Sequence, residues 1–168
     1  AIVKSSYEHP VRTWHSNLIG TVNVLECLRF VKKKTTAVII TSDKAYKNIE
    51  TKKGYKENDV LKGDDPYGAS KSSADIAISS YYHSYFSKKK SKVLISVARA
   101  GNVIGGGDWS KGRLVPDCVK AWSRNKSVTI RNFASTRPWQ HVLEPLCGYL
   151  ILAERGSLLA HMHVEVRD

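Results

Sequence analysis

The stretch DDPYGASKSSADIA, residues 64–77, sets Tyr67 and Lys71 four positions apart directly after Pro66. A phenol titrates near pH 10 and is a poor base at neutral pH. An ammonium fixed a few ångströms away favours the phenolate, and a tenfold change in the acid's ionisation constant corresponds to about 1.4 kcal/mol. Such a pair is a device for taking the proton of a sugar or alcohol hydroxyl as hydride leaves its carbon. Positions i and i+4 share one face of a helix, so both side chains can enter one cleft. The spacing alone is weak, because a surface Tyr–Lys pair arises by chance in many helices. Two further polar groups, TSDK at 41–44 and RAGN at 99–102, each follow an apolar run.

Those runs define the elements that would position the chemistry. TTAVIITS (35–42) is short, β-branched and apolar, as expected of a strand buried on both faces, and KVLISVARA (92–100) reads as a second one. Pro66 opens a helix whose apolar positions continue through Ala69, Ala74, Ile76, Ala77, Tyr81 and Tyr85. Residues 15–31 place Leu18, Val22, Leu25, Leu28 and Phe30 at near-helical spacing. Residues 115–123 and 143–154 read as helices and SVTIR (127–131) as a short strand. Strand, helix, strand in this order predicts an α/β fold with a parallel sheet. In such sheets ligands gather at the carboxyl ends of the strands, where the 41–44 and 99–102 groups lie.

At 168 residues, 42% hydrophobic and 25% charged, the composition is that of an ordinary globular domain. No apolar run approaches the roughly 20 residues of a membrane span, and AIVKSSYEHP lacks the layout of a signal peptide. Cys27, Cys118 and Cys147 contain no CxxC pair and read as reduced packing thiols in a cytosolic protein. The net charge of +12 favours anionic partners. Much of it sits in lysine runs at 32–34, 52–53 and 88–90; the first and third follow apolar-periodic segments, where solvated helix ends are the simpler reading. No nucleic-acid-binding motif accompanies them, and no third ligand near His161 and His163 points to a metal.

TSDKAY, DPYGASK, RAGNVIGGGDW, GRLVPD and RPWQHVLEPLCGYLILAE occur in an order that resembles the CDP-glucose 4,6-dehydratases. These belong to the extended short-chain dehydrogenase/reductase group of NAD-dependent sugar-nucleotide enzymes. The resemblance covers residues 1 to about 154 and implies a Rossmann-like parallel sheet with flanking helices. It also implies transient C4 oxidation by bound NAD, loss of water across C5 and C6, and hydride return to C6. By resemblance Tyr67 is the base at the C4 hydroxyl, Lys71 lowers its pKa and meets the nicotinamide ribose, and Ser42 hydrogen-bonds the C4 oxygen. Asp43 matches the acid for the departing C6 hydroxyl, a role that suits a carboxyl in a dry pocket. Lys44 stands where dTDP-glucose dehydratases carry a glutamate; either it takes the C5 proton or it supplies positive charge to the enolate. Thr41 is assigned to the cofactor side. Asn102, Arg113, Arg137 and His141 are assigned to the sugar nucleotide, since guanidinium forks match phosphate oxygens.

The resemblance divides the chain into three parts. Residues 1–100 match the later part of a dinucleotide-binding domain, 101–154 the start of the sugar-nucleotide region, and 155–168 match nothing. The 168 residues hold no GxGxxG turn, so the chain reads as an internal fragment. The competing readings are a non-catalytic remnant of the dehydratase and a sugar-nucleotide epimerase. Asp43 and Lys44 argue against an epimerase, because C4 epimerisation expels no C6 hydroxyl. The resemblance further implies a cytoplasmic homodimer through helices 15–31 and 66–87, without nucleic acid or membrane, and a setting in bacterial O-antigen and deoxysugar synthesis. Tyr81, Tyr82, Tyr85 and Phe86 are expected on the outward faces of those helices.

Overall fold

Residues 2–50, 53–88, 90–110, 112–130 and 132–156 are described by the computed structural model of the chain. Two strands, β1 (Thr35–Ile40) and β2 (Val93–Ala98), pair in parallel, with Thr35 opposite Val93 and Ile40 opposite Ala98. Parallel pairing requires a crossover, and the chain between them supplies a long helix, α4 (Pro66–Tyr81). Before β1 run α1 (Val3–Glu8), α2 (Pro10–Trp14) and α3 (Gly20–Arg29). After β2 come β3 (Asn102–Ile104), α5 (Leu114–Trp122), β4 (Trp139–His141) and α6 (Leu143–Gly156). The short strands β3 and β4 also pair in parallel.

Alternation along β2 assigns its two faces. Val93 and Val97 join Leu25 of α3, Ile78 of α4 and Phe86 in the buried core, with Ile39 of β1 packed beside them. Ser96 and Thr36 point the other way, to Gly156 of α6, at 3.4 Å and 3.5 Å from where a Cβ on that glycine would stand. Helices therefore cover both sides of the β1–β2 pair, which is the predicted α/β arrangement. Leu25 and Ile78 are sealed from solvent, and burying each contributes about 2 kcal/mol.

Several expectations are corrected. Tyr7 and Pro10, which the resemblance puts in a loop ahead of the helix at 15–31, lie in helices, with Pro10 at the first position of α2, where its missing N–H costs nothing. Residues 127–130 form no strand; Ile130 is exposed, and β-branched residues without a neighbouring strand gain nothing from extension. Asn102–Ile104, within the stretch GNVIGGGDW that reads as a loop, forms a strand paired with Trp139–His141. β1 is half-buried along most of its length and Ile40 is 47% exposed, so the strand is less deeply buried than its apolar run predicts. Cys27 and Cys147 are exposed and do not pack inside. Phe86 is buried, not outward. A π-type turn at Tyr82–Phe86, marked by the bond from Ser87 N–H to the Tyr82 carbonyl, absorbs one extra residue. The face is thereby rotated so that Phe86 comes round beneath Ile78, while Tyr85 turns outward. The tail with His161 and His163 lies outside the described residues, as do Lys52 and Lys89 of the lysine runs.

Candidate active site at the strand ends

At the end of β1 the backbone stays extended through Ser42 and then tightens into one turn of 3-10 helix, Asp43–Ala45. The Ser42 hydroxyl accepts from Lys44 N–H at 3.3 Å and donates to Asp43 Oδ1 at 3.0 Å. These bonds fix both side chains at the lip of the sheet. Opposite them stands the first turn of α4. Asp65 caps it, its Oδ1 accepting from Tyr67 N–H at 2.9 Å and Gly68 N–H at 3.0 Å, and Pro66 occupies the first helical position.

Two glycines set how closely this turn approaches. A Cβ on Gly68 would stand 2.8 Å from the Lys44 carbonyl oxygen, so the helix rests on the Ser42–Ala45 backbone. Gly63, at φ +72°, tucks beneath Gly68 and Ala69, where a Cβ would come within 2.2 Å of backbone. Ser70, fully buried, accepts from Asn17 Nδ2 at 2.9 Å and ties the helix to the π-type turn His15–Ile19.

The outcome is a shared cleft. The Tyr67 phenol lies near enough to Ser42, Asp43 and Arg113 for all three to act on it, and the Ser42 hydroxyl holds Asp43. Burial raises the Tyr67 pKa above its ordinary value. The Ser42 hydroxyl and the Arg113 charge work against that rise, and the Asp43 and Asp65 charges add to it. Lys71 lies one turn further along α4, with its ammonium donating to the Ile40 carbonyl at 3.3 Å, and burial lowers its pKa. The phenol is thus held protonated, rather than pulled down by Lys71 as the sequence led us to expect.

Other candidates divide. Arg113 reaches the site through its charge, while its guanidinium pairs with Asp108 at 3.5 Å on the surface. Lys44 is half-buried on the turn itself. Asn102 opens β3, two residues beyond Ala100, whose carbonyl accepts from Asp43 N–H at 3.2 Å. Arg137 is exposed and bonds the Thr136 carbonyl; His141 is exposed and its Nδ1 accepts from Leu143 N–H at 3.4 Å. Their hydrogen bonds stay within their own segment. Thr41, expected at the cofactor, is buried and directs its hydroxyl to Asp75 at 2.9 Å. Among the described residues no group of three or more histidine, cysteine or acidic side chains is placed to hold a metal.

Sequence reasoning overlooked a buried network beneath the cleft. Arg99, at the end of β2, meets both oxygens of Asp75 at 2.7 Å, and its Nη1 donates to the Tyr46 hydroxyl at 2.7 Å and the Glu57 carbonyl at 3.2 Å. The signal was present: Asp75 lies four residues past Lys71 on the same helical face, and Arg99 closes an otherwise apolar strand.

Residues 1–157 match the family described as GDP-mannose 4,6 dehydratase. The chain belongs to that family. It is 46% identical over 157 residues to a CDP-glucose 4,6-dehydratase of Salmonella typhimurium, which covers 92% of this chain and 44% of that protein. The chain thus spans less than half the length of that curated relative. Among solved structures, a dTDP-glucose 4,6-dehydratase from Streptomyces venezuelae with NAD bound superposes at a TM-score of 0.77, with 22% identity over 91% of this chain and 45% of that one. A UDP-glucose 4-epimerase from Thermotoga maritima, solved with UDP-glucose, gives 0.76 and 21%, over 92% and 49%. At such identities these two show the fold, a Rossmann-like sheet with flanking helices. No helix among the described residues is long and apolar enough to cross a membrane.

Proposed function

We propose that this chain carries the proton-handling half of an NAD-dependent CDP-glucose 4,6-dehydratase, which converts CDP-glucose to CDP-4-keto-6-deoxyglucose and water. The observation that carries the reading is the close seating of the first turn of α4 on the Ser42–Ala45 turn, which sets Tyr67 beside Ser42 and Asp43, with Lys71 one helical turn away. The 46% identity to a CDP-glucose 4,6-dehydratase supports the choice of nucleotide.

NAD would supply the hydride acceptor and donor, with Tyr67 and Lys71 as the residues of this chain that hold its nicotinamide side. The half-buried ammonium at the end of β1 fits that role; the pyrophosphate-seating GxGxxG turn is not among these 168 residues. Ser42 and Tyr67 hold the C4 oxygen, and Tyr67 takes its proton once positive charge beside it favours the phenolate. Arg113 already acts in that sense. Asp43 gives a proton to the departing C6 hydroxyl. Lys44, on the same turn, either takes the C5 proton or offsets the enolate charge. Asn102, Arg113, Arg137 and His141 extend towards the nucleotide in this reading. Two copies would pair across α3 and α4, where Val24, Ile76 and Tyr85 are exposed, in the cytoplasm of a bacterium making deoxysugars for surface polysaccharide.

Calorimetric titration of the folded chain with NAD and then CDP-glucose, beside an assay for 4-keto sugar, tests this. Saturable binding with 4-keto sugar that disappears in Tyr67→Phe is the expected result. A folded chain that binds neither ligand overturns the reading for this polypeptide.

A further inference from the structure

The buried network beneath the cleft has a layout that packing alone does not require. Thr41 and Tyr46 bracket the turn bearing Ser42, Asp43 and Lys44 on its two sides. Asp75 lies four residues beyond Lys71 and eight beyond Tyr67, on the same face of α4. Arg99 makes two 2.7 Å bonds to Asp75 and one to the Tyr46 hydroxyl, while Thr41 donates to Asp75 Oδ2, the oxygen that also accepts from Arg99 Nε. The Asp75 and Arg99 side chains are 3% and 6% exposed. A planar guanidinium fork admits one orientation of its partner, and a buried pair cannot relax into water. Tyr46 is itself stacked on Tyr55 at 4.9 Å, which restricts the hydroxyl further.

We infer that the Asp75–Arg99 pair, with Thr41 and Tyr46, is a positioning device that sets the register between the Ser42–Lys44 turn and the Tyr67–Lys71 face of α4. The four residues touch no reacting atom; they act through the two elements they join. Besides them, the close approach at Gly68 and the Lys71–Ile40 hydrogen bond join the helix to this end of β1. Displacing a reacting group by about 1 Å costs about a hundredfold in rate, so a rigid brace at this point has functional weight. The positioning role in catalysis rests on the dehydratase reading, whereas the register itself is measurable without any ligand.

The test follows the Tyr67 phenol by NMR in chain labelled at tyrosine Cζ, with Tyr67→Phe identifying the resonance. Asp75→Asn and Arg99→Lys disturb charge and folding together, so the deciding variants are uncharged and near-isosteric: Thr41→Val and Tyr46→Phe. Neither alters the charges at Asp43, Asp65 or Arg113 that act on the phenol. In each the Tyr67 midpoint is expected to fall by about half a pH unit as the phenol gains solvent, while Thr41→Ser, which keeps the hydroxyl, retains the wild-type midpoint. Variants that lose thermal stability with the Tyr67 midpoint unmoved would overturn the inference and leave the network as a brace of the fold alone. The readout needs neither NAD nor CDP-glucose, so failure of the dehydratase reading leaves it intact.

Discussion

Two ion pairs stand on either side of the cleft, and they differ in almost every physical respect. Asp75–Arg99 is bidentate at 2.7 Å and nearly sealed from solvent. Asp108–Arg113 is a single contact at 3.5 Å with side chains 46% and 47% exposed. The first locks elements distant in sequence; the second lies in the outer segment that also carries Trp109, Phe133 and Trp139, all exposed. In the proposed reading, the chemistry that needs fixed geometry falls on the locked side, and the residues that would meet a charged nucleotide fall on the open side. Rigidity is thus distributed by role.

The largest expected effect breaks the locked side. Arg99→Met strands a buried carboxylate and should lower unfolding stability by about 4 kcal/mol in urea titration, whereas Arg113→Met should leave the midpoint where it was. Asp65→Ala removes the cap that aims the first turn of α4 and should cost about 1 kcal/mol on the same measure. The pH dependence sharpens the contrast. With the folded Tyr67 pKa raised by burial, its contribution is fully present below about pH 10 and is lost as pH climbs through the folded midpoint. Tyr67→Phe should remove that loss. Arg113→Met should move the Tyr67 midpoint up and Asp43→Asn should move it down, because the first charge favours phenolate and the second opposes it. Smallest of all, Phe133→Ala, at 93% exposure, should shift stability by no more than about 0.5 kcal/mol.

The catalytic helix was legible because its signals are local. Pro66 at the start and a four-residue Tyr–Lys step can both be read within one stretch. The same is true of β1 and β2, whose β-branched runs are short and bounded. Asp75 and Arg99 each left a local signal, but their pairing was missed because only the crossover brings them together. The strand expected at 127–131 failed for the converse reason, since Val128 and Ile130 have the right types but no adjacent edge in the described structure. Phe86 was misassigned because a regular helical period was carried through Tyr82–Phe86, where the π-type turn breaks it.

The Arg99–Tyr46 bond closes a stretch of 53 residues, and the Asn17–Ser70 bond closes another of the same length. Both closures must be complete before the cleft has its walls, and long closures are reached late in folding because their entropy is lost before any contact compensates it. The helices therefore exist before the site does. A newly made chain would pass through a stage with its secondary structure in place and its Tyr67–Ser42 contact absent. Competence to bind would lag behind helicity in a refolding experiment, and the length of that lag is written in the distance along the chain between Tyr46 and Arg99.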